Sequence, residues 1–415
     1  MSISRRKLLK IGLASSAFTL PKPLGASPAA QRKFLFVFCT GGWDQCYLFA
    51  PLYNNSAIDM EPDSQEANIR GIRFVDSSEK PYVRQFFDRY ADKICMVNGF
   101  EARSVAHDIC LRLVSTGSSL SAKDDWPSII AAHAENDPLM PFVNLSGPIF
   151  THDYTSSVVR VGSSGQFSKL LSGGFQSDMA ATLPTDSIQG LEDMWVRDAS
   201  SLKLDESSAG REFLLTNEGI MAEERLQQLR LQNLSLTPSM QNPLRSSLSL
   251  ALDLLESNTS RSVMLSYNGV QDLGWDTHAG SFLQALHFNE LFRELMDAMD
   301  GLNSRNGSNG RLIDEVTVVV MSEMGRFPQE NARGGKEHWT YTSALLMGAG
   351  VRGGQTIGGY DEYCFGQKVD LGSGQVSNQG VPLVPGHFGA TLLQLADIDY
   401  GEFIVDAQPI WAAIQ

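Results

Sequence analysis

Cysteine is scarce, with five in 415 residues, and no two form a Cys-x-x-Cys pair. The chain therefore supports neither a zinc ribbon nor a dithiol redox motif. An odd count also leaves at least one thiol unpaired within a monomer. Burial is the simplest reading for most of Cys39, Cys46, Cys95, Cys110 and Cys364. Positive charge is also short: 33 Lys and Arg stand against 47 Asp and Glu, a formal net charge of -14. No basic tract and no aromatic-basic pattern occurs, so composition argues against nucleic acid as a partner. Charged residues make up 19% of the chain, below the common share of about 25%. Beyond the first thirty residues no segment has the length and apolarity of a membrane span. What remains is apolar, 42% of the residues. That is enough for one large α/β domain with an insertion, or for two domains.

The first thirty residues stand apart. Met1-Ser2-Ile3-Ser4-Arg5-Arg6-Lys7-Leu8-Leu9-Lys10 leads into a mildly apolar stretch ending at Leu20, followed by small residues at Ala26, Ser27, Ala29 and Ala30. A basic start, a short apolar middle and small residues near a cut site describe an export signal. The Arg5-Arg6 pair is similar to a twin-arginine signal. The alternative is a membrane anchor, but the apolar stretch is shorter than the roughly 20 residues that a span needs. Without this segment 28 basic residues face 47 acidic ones, a net charge of -19. The expectation is an acidic protein delivered to the periplasm or secreted, with no stable membrane span.

Short β-branched runs alternate with helical patterns through the rest. Strands are expected at 34–39, 93–98, 142–145, 262–267, 316–321 and 343–348. Helices are expected at 81–90, 105–114, 126–134, 243–257, 280–300 and 387–396. In 280–300, Phe282, Leu283, Leu286, Leu291, Phe292, Leu295, Met296 and Met299 suit one helical face. This alternation predicts an α/β fold with a mostly parallel central sheet and helices on both faces. Residues 150–240 are rich in Ser, Gly and Gln. They read as a mainly helical insertion into a domain spanning 31–415.

Polar clusters sit at or just after the expected strand ends, where ligands collect in an open parallel sheet. Asp44 follows Gly41-Gly42-Trp43, behind the run Phe34–Cys39. A carboxylate there suits a hard cation, or caps the next turn. Asp276 and His278 lie two apart, so in extended backbone both face one side. Alternatively, Asp276 caps a helix starting near Ala279. Ser322, Glu323 and Arg326 follow the strongest strand, whose doubly buried end is a poor place for an acid unless it is capped or metal-bound. Arg326 suits an oxyanion, or a salt bridge to Glu323 or Asp44. His338, in the glycine-rich Gly334–His338 stretch, is a candidate imidazole ligand. His107, at a helix start where anions are favoured, is a candidate nucleophile or oxyanion group, or simply part of a cap. His133, His152, His287 and His387 have no such setting and read as structural. Together the clusters predict a divalent-metal site made of Asp44, Asp276, His278, Ser322, Glu323 and His338. The metal would be Zn, Mn, Mg or Ca.

The order of these clusters resembles the alkaline phosphatase–sulfatase superfamily. It more closely resembles a bacterial family of twin-arginine-exported proteins catalogued as domain of unknown function fifteen-oh-one. The residues that carry the resemblance are Phe36–Asp44, His107–Gly117, Gly274–His278, Val320–Arg326, Gly335–His338 and Leu346–Gly354. It implies an alkaline-phosphatase-like fold and a two-metal hydrolytic site. Asp44 would match the first Asp, Asp276 and His278 the next pair, and His338 the final His. Ser322 and Glu323 stand where Asp-His is expected. His107 falls near the superfamily's nucleophile, and Ser104 is the nearest hydroxyl. The resemblance thus makes His107, Arg326 and Ser104 the catalytic candidates. It implies a metal-dependent hydrolase of a phosphate or sulfate ester, small or part of a glycan, exported by the twin-arginine machinery. The alternative is a non-catalytic member of the fold that serves as an envelope binding or assembly protein.

Overall fold

The computed structural model describes residues 28–136, 138–161 and 243–415. Most of the expected export signal and most of the expected insertion lie outside the described residues. In chain order the elements are β1 (Lys33–Phe38), β2 (Gln65–Ile69), β3 (Ile72–Asp76), α1 (Pro81–Tyr90), β4 (Ile94–Glu101), α2 (His107–Thr116), α3 (Trp126–Ala132), β5 (Phe142–Asn144) and β6 (Val158–Arg160). There follow α4 (Pro243–Glu256), β7 (Ser262–Ser266), α5 (Leu283–Ser304), β8 (Val316–Met321), β9 (Gly325–Glu330), β10 (Lys336–Trp339), β11 (Tyr341–Gly348), β12 (Gln355–Gly358) and α6 (Pro385–Leu395).

Eight strands form the central sheet in the order β12-β4-β11-β8-β1-β7-β5-β6. The pairs β12–β4, β8–β1, β1–β7, β7–β5 and β5–β6 are parallel, and only β11 runs against its neighbours β4 and β8. The fold is thus mixed α/β with a largely parallel sheet, as the alternating pattern predicts.

Every residue of β1 and β8 is buried. Successive strand side chains point to opposite faces, so each strand feeds two cores. Leu35 and Val37 of β1 pack with Phe86 and Phe87 of α1, Leu254 and Leu255 of α4, and Phe288 and Phe292 of α5. Phe34, Phe36 and Phe38 pack with Val114 of α2, Trp126 of α3 and Phe388 of α6. Helices therefore cover both faces, which is why these strands lack polar alternation.

The strand directions decide where the site forms. β1, β7 and β8 are parallel and end at one edge of the sheet. β4 is antiparallel to β11, and β11 to β8, so β4 ends at that edge too. β11 runs the other way and begins there, which brings the preceding β10 to the same edge. β10 pairs with β9 as a short antiparallel ribbon in which His338 faces Arg326. The glycine-rich segment around His338 is thus part of a strand pair rather than a loop.

No helix among the described residues is long and apolar enough to cross a membrane. All five cysteines are buried and free.

The ring of Phe292 is fully buried and meets Phe86, Phe87 and Phe288 at centroid distances of 5.1, 5.5 and 6.4 Å. Phe292→Ala is expected to cost about 3–5 kcal/mol, the range for emptying a packed aromatic site. Urea unfolding measures it. A loss under about 1 kcal/mol, the size of an ordinary surface change, would mean that α5 is not docked as described.

Candidate metal centre

At the carboxyl edge, side chains from three segments meet around Asp276. Its Oδ1 lies 3.1 Å from His278 Nε2 and 3.2 Å from His338 Nε2, and its Oδ2 lies 3.5 Å from His107 Nε2. His107 stands at the start of α2, His338 on β10, and Asp276 and His278 on the loop after β7. Among the described residues, His107, Asp276 and His338 offer ligand atoms that all lie within 4.8 Å of one another. His278 joins them from the other side, with its Nε2 3.0 Å from His338 Nε2.

The other nitrogen of each ring is committed. His107 Nδ1 meets Glu323 Oε1 at 2.8 Å, His278 Nδ1 meets Glu337 Oε2 at 2.8 Å, and His338 Nδ1 meets the Val105 carbonyl at 2.7 Å. Carboxylates and carbonyls accept, so each Nδ1 carries the proton and donates it. In the neutral ring each Nε2 is then a lone pair aimed at the cluster. Two such lone pairs 3.0 Å apart repel unless a proton or a cation sits between them. The buried Nε2 of His107 has no close hydrogen-bond partner, with Asp276 Oδ2 at 3.5 Å. Histidine metal ligands show this same arrangement, one nitrogen on the ion and the other donating to a carboxylate or carbonyl. The triad His107, Asp276 and His338 therefore fits a divalent cation, with the Nε2 of His278 directly beside it.

Charge behind the cluster is tightly tied. Arg326 is fully buried. Its Nε donates to Gly42 O (2.9 Å), its Nη1 to Lys336 O (3.1 Å), and its Nη2 to Gly41 O and to Asp276 Oδ1 (2.5 Å). Burial works against a charge on Asp276, but hydrogen bonds from His107, Arg326 and His338 outweigh it. The net effect holds this carboxyl well below the usual range. The same bonds, from Asp276 and Glu323, pull His107 up to about 9 against the cost of burial.

Several residues expected in the site are placed otherwise. Asp44 is buried away from the imidazoles. Its Oδ2 lies 2.9 Å from Lys336 Nζ, and its Oδ1 accepts from Cys46 N (2.8 Å), capping the turn Gln45–Tyr47. Burial lowers the pKa of Lys336, yet the charge of Asp44 wins and keeps it raised. Glu323 is a support and not a contact of the cluster's centre: Oε1 accepts from Gly41 N (2.8 Å) and holds His107. Ser322 Oγ donates to Cys39 O at 2.6 Å. Arg326, expected to meet an oxyanion, spends its donors on the chain. Ser104 Oγ accepts from Ala106 N at 3.1 Å, a turn contact. His107, expected to be a nucleophile, instead stands among the candidate ligands.

Gly41 shows how closely the loops pack. Its φ is +125°, and a Cβ there would lie 2.7 Å from Asp276 N. The turn after β1 and the loop after β7 touch backbone to backbone, which no side chain would allow.

The remaining histidines differ. His133 Nδ1 bonds to Ile129 O, His387 Nδ1 to Gln408 O, and exposed His152 pairs with its neighbour Asp153. His287 is more than structural filling. Its Nδ1 accepts from Val270 N (2.9 Å) and its Nε2 donates to Gly274 O (2.9 Å), so it grips the loop that carries Asp276. The signal in the sequence was a polar residue interrupting the apolar face of 280–300.

The fold and site can be set beside known proteins. A family model described as "Protein of unknown function (DUF1501)" matches residues 247–412. The matched stretch holds Asp276, His278, Glu323, Arg326 and His338, while Asp44 and His107 precede it. No curated protein matches the chain. Among solved structures it is similar to the lipoteichoic acid synthase LtaP from Listeria monocytogenes, at 10% identity over 94% of this chain and 80% of that one, TM-score 0.39. It is similar to Ps i-CgsB, solved in complex with k-i-k-neocarrahexaose, at 11% identity over 92% and 75%, TM-score 0.38. It is also similar to the alkaline phosphatase from the Antarctic bacterium TAB5, at 12% identity over 91% and 99%, TM-score 0.35.

Two outcomes are expected from this geometry. Asp44→Ala leaves the Lys336 ammonium buried without its partner, and breaking a buried pair costs about 3–5 kcal/mol. Chemical denaturation of the variant reads that loss, and near-normal stability would show that the pair is not buried as described. The second concerns pH. Burial lowers the pKa of His287 to about 4, against a weaker opposing bond to Gly274. An unfolded histidine protonates near about 6.5. Between those values the unfolded chain binds more protons, so stability falls as pH drops through this window. In protein stripped of metal, the slope of unfolding free energy against pH from 6.5 to 4 should be shallower in His287→Gln. Equal slopes would refute the shift.

Proposed function

We propose that the chain is an exported, metal-dependent hydrolase of phosphate or sulfate esters, with His107, His278, His338 and Asp276 holding the ion. The observation that carries the reading is the set of three imidazoles whose Nδ1 atoms all lie against outer acceptors while their Nε2 atoms converge on one carboxylate. A donor set of three nitrogens and one oxygen suits zinc-type ions better than calcium or magnesium, which favour oxygen. Bound there, such an ion supplies Lewis acidity and lowers the pKa of water.

The chain's own residues would do the rest. Glu323 and Glu337 accept the Nδ1 protons of His107 and His278, which fixes each tautomer and ring direction. Arg326 pins one oxygen of Asp276 and keeps the carboxylate ionised. The nearby hydroxyls are engaged: Ser104 at its turn, Ser322 on Cys39 O, and Thr277 Oγ1 accepting from Gln284 Nε2 at 3.0 Å. We therefore assign the attacking group to water and not to a side chain. Substrates would be small or glycan esters, and the twin-arginine machinery would deliver the protein through Arg5 and Arg6.

One observation favours a second reading. Arg326 is fully buried and commits four of its five N–H donors to the chain, which leaves it poorly placed to meet an oxyanion. A non-catalytic envelope protein that binds metal or ligand would tolerate that.

The test joins metal content to turnover. Protein prepared without chelator should retain zinc or manganese after dialysis against a weak chelator. His338→Ala and Asp276→Ala should each weaken binding by at least the roughly 10–100-fold reported for changes behind a metal's ligands. His152→Ala, an exposed comparator, should not. A panel of aryl phosphates and aryl sulfates should show turnover that chelation abolishes. Equal metal in all the variants sinks the ligand assignment. Metal binding without turnover of any panel member favours the non-catalytic reading.

A further inference from the structure

Two polar side chains interrupt the apolar face of α5 at its first turn. Gln284 and His287 are both fully buried, and at i and i+3 they share one side of the helix. Below them the buried face is mostly apolar, with Phe288, Leu291, Phe292 and Leu295, and Glu294 at its margin. A buried amide or imidazole costs stability unless its polar atoms are met, and here all of them are. His287 Nδ1 accepts from Val270 N, and its Nε2 donates to Gly274 O. Gln284 Nε2 donates to Trp275 O (2.9 Å) and Thr277 Oγ1 (3.0 Å), and its Oε1 accepts from Asp44 N (2.9 Å). The contacts fall on both sides of Asp276.

The loop they hold needs holding. Gln271 and Asp272 are consecutive non-glycine residues at φ +53° and +62°, a conformation that persists only where the surroundings over-determine it. Both are exposed, so solvent-side packing does not supply the constraint. The ring of His287 lies against Gly269, where a Cβ would come within 2.6 Å of it.

We propose that Gln284 and His287 are positioning residues for the metal centre, setting its affinity from behind by clamping the 270–277 loop to α5. The proposal rests on the metal-binding reading. It assigns the two residues no contact with ion or substrate. Their effect is to deliver Asp276 and His278 to His107 and His338 in advance, so that binding does not have to order the loop.

The experiment compares zinc dissociation constants, from competition with a chromophoric chelator, for the unsubstituted protein, His287→Leu, His287→Gln and His338→Ala. Amide hydrogen exchange is followed at Val270 and Thr277, with β8 as an internal standard. His287→Leu should bind zinc roughly 10–100-fold more weakly and exchange faster at Val270 while β8 stays protected. His287→Gln, whose amide offers one acceptor and one donor, should recover most of the affinity. If His287→Leu does not fold, Gln284→Leu takes its place, cutting the ties to Trp275 and Thr277 with the same expected loss. Unchanged zinc affinity in the leucine variant overturns the clamp alone. So does weakened affinity with Val270 as protected as before. Absence of zinc binding in the unsubstituted protein takes down the metal reading and this proposal with it.

Discussion

The buried guanidinium of Arg326 is the interaction on which the site's architecture rests. A fully buried cation is tolerated only when every donor is met. Here the acceptors come from the turn after β1, from β10 and from the loop after β7. One side chain thus ties together three segments that are far apart in sequence. The ribbon of β9 and β10 serves the same end, since pairing Arg326 with His338 fixes the distance between the tie and one of the imidazoles it supports. Asp276 joins the two layers, taking Arg326 from below and the imidazoles from above.

A second layer of polar ties repeats this logic at smaller scale. Lys336 and Asp44 form a buried pair between β10 and the turn after β1. Gln284 reaches from α5 to the same turn and to the loop after β7. These buried polar ties are gathered under one edge of the sheet. Fully satisfied polar networks fix a unique geometry where apolar packing alone would leave latitude. That is what a cluster held together by distances near 3 Å requires.

Much of the fold was legible in the sequence because the central strands are buried on both faces and so read as unbroken β-branched runs. The run 316–321 and the helix 81–90 appear with the bounds expected. The ribbon of β9 and β10 was not legible. Its residues are charged, aromatic and glycine-flanked, its exposure alternates weakly, and its pairing depends on a turn rather than on burial. The fate of Asp44 was half legible. A turn-capping Asp was one of the two readings, but its cation lies on β10, and no local pattern links the two. Glu323 was flagged by its poor position at the end of a buried strand. The structure resolves that misfit with a backbone N–H and an imidazole. Gln284 and His287 passed as ordinary because a helix with an apolar face tolerates one or two polar positions without losing its periodicity.

The electrostatics explain why the imidazoles gather where they do. Arg326 balances Asp276, but Glu323 is fully buried and, among the described residues, forms no salt bridge to Lys or Arg; its partners are Gly41 N, Ser322 Oγ and the ring of His107. An ionised carboxylate in that position demands positive charge on the far side of the ring. Two species can supply it there. A proton on Nε2 is one, and Asp276 and Glu323 favour it, pulling His107 up to about 9. A divalent cation at the same nitrogen is the other, and it answers Glu323 through the ring while also meeting the lone pairs of His278 and His338. Proton and cation thus compete for one place, and the buried Glu323 makes it a place for positive charge.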